Sequence, residues 1–205
     1  MKLAVLTVLL VASTAHAGGG AIAVPPMEVD VGAGSPIGAA VAGPSTEILA
    51  GIHWASLYWH PTKVDVGIGY VGSFRPVLSG YEARATMDTT ADNVLRLDGG
   101  YLSIGYAIES HQYWRTWLDA RVETLHGSVN QTSFNALGAA LRLSTEVFAS
   151  GAVGGGGGGG GVLCAGTFAL GVYVEAVHRD LPAELGSNGL SAGLSMRLPF
   201  ILAAG

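Results

Sequence analysis

The chain has 205 residues, enough for one domain with a closed core. Only 12% of them are charged, about half the roughly 25% usual for soluble domains, while mean hydropathy is +0.43 and the formal net charge is −5. There is no basic cluster to attract nucleic acid, and the single cysteine, Cys164, excludes an internal disulfide.

Residues 1–17 read as a secretory signal peptide. Lys2 supplies the positive start, Leu3 to Val11 the apolar stretch, and Ala15 and Ala17 the small residues before a cleavage site. The apolar run is shorter than the roughly 20 residues of a membrane-spanning helix. Residues 18–205 are then expected to form one domain. The longest charge-free stretch, 147–174, contains eight consecutive glycines, Gly154 to Gly161, so it is not expected to be a helical span either.

Alternation with period two marks the remaining elements. A first short strand is expected at 27–34, with Glu28 and Asp30 on its polar face. Segment 47–59 is strand-like but apolar on both faces. Segment 63–70 sets Val64, Val66, Ile68 and Tyr70 against Asp65, Gly67 and Gly69. In 95–108, Arg96 and Asp98 share a parity with Leu102, Ile104 and Tyr106, so a kink is expected at Gly99-Gly100.

The second half alternates more cleanly. In 114–124, Arg115, Trp117, Asp119, Arg121 and Glu123 oppose Leu118, Ala120 and Val122. In 137–147, Arg142, Ser144 and Glu146 oppose Leu141, Leu143 and Val147. In 167–177, Tyr173 and Glu175 oppose Val172 and Val174. In 190–198, Ser191, Ser195 and Arg197 oppose Leu194, Met196 and Leu198. A helix would spread these charges around its circumference.

Eight strands with one apolar and one polar face predict an all-β fold, a single antiparallel up-and-down transmembrane β-barrel. Connection lengths point the same way. They are short near His60 and at Glu109-Ser110, long over 75–93, and intermediate over 126–133 and 179–188. The glycine run interrupts this alternation as a flexible insertion. Trp54, Tyr58, Trp59, Tyr113 and Trp114 beside the short turns fit an interfacial aromatic girdle.

In this architecture the chain resembles the small eight-stranded outer-membrane proteins of the OmpA/OmpX type, over roughly residues 27–202. The resemblance implies a Gram-negative cell envelope, contact with outer-membrane lipid and a monomer without cofactor. It also implies an aromatic residue that finishes the last strand; here Phe200 follows Pro199 but is itself followed by Ile201 to Gly205, so the terminal residue departs from that pattern.

The inward charges expected from parity are Asp65, Arg96, Asp98, Arg115, Asp119, Arg121, Glu123, Arg142, Glu146, Glu175 and Arg197. An eight-stranded barrel is just wide enough for side chains to fill it, so these are expected to pair rather than line a conduit. For strands five and six, Asp119 with Arg142 and Arg115 with Glu146 have the same index sum. One antiparallel register therefore sets both opposite-charge pairs face to face, and Arg121 and Glu123 join this interior set.

His126-Gly127-Ser128 is the sharpest catalytic hint. It is similar to the His-x-Ser pair of outer-membrane lipid A deacylases, which implies His126 as base and Ser128 as nucleophile. Val129 stands where that family has Asn. Beyond the signal segment the other histidines, His53, His60, His111 and His178, lack metal-ligand spacing, so no metal is expected. The expectation is a non-enzymatic outer-membrane barrel with a structural or surface-interaction role. A lipid A-modifying enzyme is one alternative. A soluble lipocalin-like binder, with the apolar face turned inward, is the other.

Overall fold

The computed structural model describes residues 21–38, 43–53, 63–77, 94–110, 114–129, 132–151, 166–182 and 185–203. The signal segment, the glycine run, Cys164 and the aromatics Trp54, Tyr58, Trp59 and Tyr113 lie outside these residues.

Eight strands follow one another around the barrel in chain order: β1 (Ala21–Ile37), β2 (Ser45–His53), β3 (Val64–Pro76), β4 (Val94–Ser110), β5 (Trp114–Val129), β6 (Thr132–Gly151), β7 (Gly166–Arg179) and β8 (Asn188–Ala203). Every neighbouring pair is antiparallel, and β1 pairs with β8, so the sheet closes and has no free edge. The end where β1 begins and β8 finishes is called the base here, and the opposite end the mouth.

Pro199 fits the ladder because of where it falls. The β1–β8 register shifts between Val24 and Met27, opposite Phe200 and Leu198. Pro25 and Pro26 on β1 thus share one irregularity with Pro199 on β8. Residues that cannot donate a backbone hydrogen bond are gathered where the ladder is already broken.

The β4 expectation needs correcting. The β3–β4 and β4–β5 registers both run uninterrupted through Gly99 and Gly100, so no kink lies there. Arg96 and Asp98 keep the parity of Leu102, Ile104 and Tyr106 and are exposed on the outside, while Leu95 and Leu97 are buried inside. What changes is the surroundings, not the strand. Toward the mouth the outer wall turns polar and the interior turns apolar. The only β4 irregularity lies between Ala107 and Glu109.

The β5–β6 hairpin is also tighter than expected. Val129 pairs with Thr132, leaving only residues 130–131 as the connection instead of 126–133.

Between these ends the outer wall is an apolar belt. On β6 it runs from Leu137 to Val147, both more than half exposed. Ten steps of about 3.4 Å, at the roughly 40° tilt of such barrels, make a belt about 25 Å tall.

Candidate functional site: the charged barrel interior

The inward positions carry three stacked layers. At the mouth, Val77, Leu95, Leu97, Val129, Leu181 and Leu185 belong to one apolar cluster. Leu181 and Leu185 come from the β7–β8 connection, which folds back into the opening. Its backbone is held by Leu185 N donating to Pro182 O (2.8 Å) and by Arg179 N donating to Ser187 O (2.7 Å). Arg75 Nη1 donates to Leu185 O at 2.9 Å, tying the connection to β3. Gly186 sits in the middle of this turn with φ of 77°, a conformation that side chains disfavour.

Below the plug lies a connected chain of buried charges. Arg179 donates through Nη1 to Glu47 (2.8 Å) and through Nε to Glu123 (2.9 Å). Arg121 donates through Nε to Glu123 (2.8 Å) and forks onto both oxygens of Glu175 (2.7 and 2.8 Å). Three carboxylates on β2, β5 and β7 thus share Arg121 and Arg179. Charge-assisted bonds of this kind compensate the desolvation of a buried ion only when each group is well partnered.

The third layer, near the base, is more acidic. Arg197 holds Glu28 through Nη2 (2.5 Å), reaches Asp65 (3.4 Å) and stands 3.7 Å from Glu146. Trp117 Nε1 donates to Glu146 at 2.5 Å. Arg142 bonds Asp30, stands 3.4 Å from Glu28 and lies over the Tyr173 ring, 4.0 Å from its centroid. His53 Nδ1 donates to Asp65 Oδ2 at 2.8 Å, and its Nε2 faces the Tyr101 hydroxyl at 3.2 Å. Glycines make room for the two tyrosines: a Cβ on Gly32 or Gly51 would collide with the hydroxyl of Tyr173 or Tyr101.

The register of β5 and β6 sets Asp119 against Arg142, Arg115 against Glu146, Trp117 against Ser144 and Arg121 against Ala140. Arg115, Arg121, Glu123, Arg142 and Glu146 are all buried and inward, and Asp119 shares their parity. For Arg142 and Arg121, however, the bonding partners are not the facing residues. Arg142 bonds Asp30 across the barrel, and Arg121 bonds Glu175. The inward set also includes Glu28 and Asp30 on the polar face of β1, Glu47 and His53 in the segment expected to be apolar on both faces, and Arg75 and Arg179 beyond the expected strand ends, and it excludes Arg96 and Asp98.

His126 and Ser128 stand on the outer wall near the mouth, facing Asp98 and Arg96 on β4. His126 Nδ1 lies 3.2 Å from the Asn135 side-chain oxygen. A shallow recess of about 550 Å³ opens beside it, lined among others by Asp98, Thr124, His126, Asn135 and Asp180; Ser128 lies outside the lining. No protein-family model matches the chain, and no similar protein is found among curated sequences.

Proposed function

We propose that the protein is a non-enzymatic outer-membrane β-barrel of a Gram-negative-type cell, exported by its N-terminal signal, with a structural or surface-interaction role. The observation that carries this reading is the inside-out distribution of side chains. Large apolar residues such as Leu102, Val122, Leu141 and Val172 are exposed around the whole middle of the barrel, while Glu123, Arg179 and Asp65 are buried within it. In water that arrangement is doubly unfavourable. In a bilayer it is the expected one, because lipid covers the belt and a closed sheet satisfies its own backbone. A lipocalin-type binder needs the reverse. The interior layers leave the barrel filled rather than open, which favours a scaffold over a pore.

Fractionation of expressing cells tests the reading. The mature protein, starting near Gly18, is expected in the outer-membrane fraction, with gel mobility that changes on boiling. Recovery as a soluble periplasmic protein contradicts it.

A further inference from the structure

The layer near the base carries more acid than base. Glu28 and Asp30 on β1, Asp65 on β3, Asp119 on β5 and Glu146 on β6 stand against Arg115 on β5, Arg142 on β6 and Arg197 on β8. The hydroxyls of Tyr101 on β4 and Tyr173 on β7 complete the titratable groups around it. Five carboxylates against three guanidiniums leave an excess of two negative charges when all are ionised. In an interior that water barely reaches, such an excess is unfavourable unless a further cation joins it. Among the described residues, the remaining basic group of this layer is His53, which is 6% exposed.

The imidazole of His53 is set between two of these carboxylates, one at each ring nitrogen. Nδ1 lies 2.8 Å from Asp65 Oδ2, while Nε2 lies 3.8 Å from Glu28 Oε2 and 3.2 Å from the Tyr101 hydroxyl. Gly67, across from His53 on β3, makes room for the ring, since a Cβ there would stand 2.5 Å from its Cε1. A neutral imidazole has a single N–H. Given to Asp65, it leaves the Nε2 lone pair beside a second anion. An imidazolium has two donors, and the contacts at both nitrogens become attractive. Two cations oppose that charge. Arg197 holds Glu28 at 2.5 Å and stands 3.4 Å from Asp65, and Arg142 stands 3.4 Å from Glu28. Neither removes the excess, because Arg197 is shared with Glu146 and Arg142 with Asp30.

We propose that His53 is an imidazolium in the folded barrel, clamped between Asp65 and Glu28, and that loss of its proton at alkaline pH loosens the base of the barrel where β1, β2 and β3 meet. His53 is the last residue of β2 and Asp65 the second of β3, so the clamp ties these two strands at their base ends. Glu28 extends it to β1, the other neighbour of β2. The proton thus acts as a structural cation, and its release returns the full excess of negative charge to the layer.

The test uses the mature protein refolded in detergent, with its histidines labelled with nitrogen-15 for magnetic resonance. The His53 ring is identified by its nearness to Tyr101, whose ring centroid is 6.4 Å away. At about pH 7.5, one unit above the ordinary histidine value of about 6.5, both ring nitrogens are expected to carry protons. One unprotonated nitrogen at that pH overturns the proposal. Urea titrations give a second readout. A proton held in the folded state contributes stability that is fully present below the unfolded-state value and is lost as pH rises through the folded-state titration. Over that window the folding equilibrium constant is expected to fall by up to about tenfold per pH unit, and the fall is expected to vanish in His53→Gln. A fall of the same size in His53→Gln overturns the proposal, in favour of the carboxylates as the titrating groups. Should that variant fail to fold, Asp65→Asn takes its place. Removing one jaw of the clamp is expected to leave one ring nitrogen unprotonated at about pH 7.5, and a doubly protonated ring there overturns the clamp. Neither readout requires the protein to reside in a membrane, so both are independent of the localisation test.

Discussion

Asp119 and Arg142 face each other across β5 and β6, yet Arg142 carries its charge past that neighbour to Asp30 on β1. A barrel interior makes this possible. Inward side chains converge, so a long guanidinium can choose between the strand beside it and the wall opposite.

The first expectation follows from that choice. Arg142→Ala should destabilise the barrel by about 3–5 kcal/mol, because it strands buried carboxylates. In double-mutant cycles by urea titration of refolded protein, Arg142 should couple more strongly to Asp30 than to Asp119. Equal or reversed coupling would show that the cross-strand neighbour is the energetic partner after all.

The belt supplies a second. Leu141 lies near the middle of the apolar stretch of β6, and Asn135 lies beyond its mouth-side edge. In lipid vesicles, Leu141→Arg should cost about 2–4 kcal/mol and Asn135→Arg about 0–1. A soluble barrel would show no such dependence on height along one strand.

Conduction gives a third. The mouth is closed by Leu181 and Leu185, and the charges beneath are bonded across the lumen. Purified protein in a planar bilayer should carry little or no steady current. A stable large conductance would mean that the interior layers do not stay packed.

A fourth concerns the outer-wall histidine. Its Nδ1 partner is the neutral amide of Asn135, and Ser128 lies outside the adjoining recess. A general base that works on a serine is ordinarily oriented by a group that stabilises the imidazolium. His126→Ala and Ser128→Ala should therefore leave the acylation of lipid A unchanged in expressing cells. An acyl chain lost in the presence of the protein, and regained with Ser128→Ala, would make this an enzyme.

Much of the architecture is legible in the chain alone. Period-two alternation depends on local geometry, and a face that meets one environment throughout repeats one residue class. That is why β5 to β8, and the register that pairs 119 with 142 and 115 with 146, could be read directly. The alternation of β3 also continues beyond Tyr70, through Ser73 to Arg75, and that of β7 beyond Val177 to Arg179. Following parity past the expected strand ends would have found both arginines.

Other features depend on height along the barrel, which no strand reports by itself. Arg96 and Asp98 look inward only if the polar face is taken to be the inner face everywhere. Above the belt that rule reverses, since the outer wall meets water while the interior meets the folded-back Leu181 and Leu185. Within 45–53, by contrast, Glu47 and His53 share a parity opposite Ile48 and Ile52, and it is Leu49 on their own face and the expected extension to residue 59 that hide this alternation. Alternation determined that there would be two faces. Only closure of the sheet decided which charges share the lumen, and therefore that Arg142 meets Asp30 and that His53 stands between Glu28 and Asp65, because those distances run across the barrel and not along the chain.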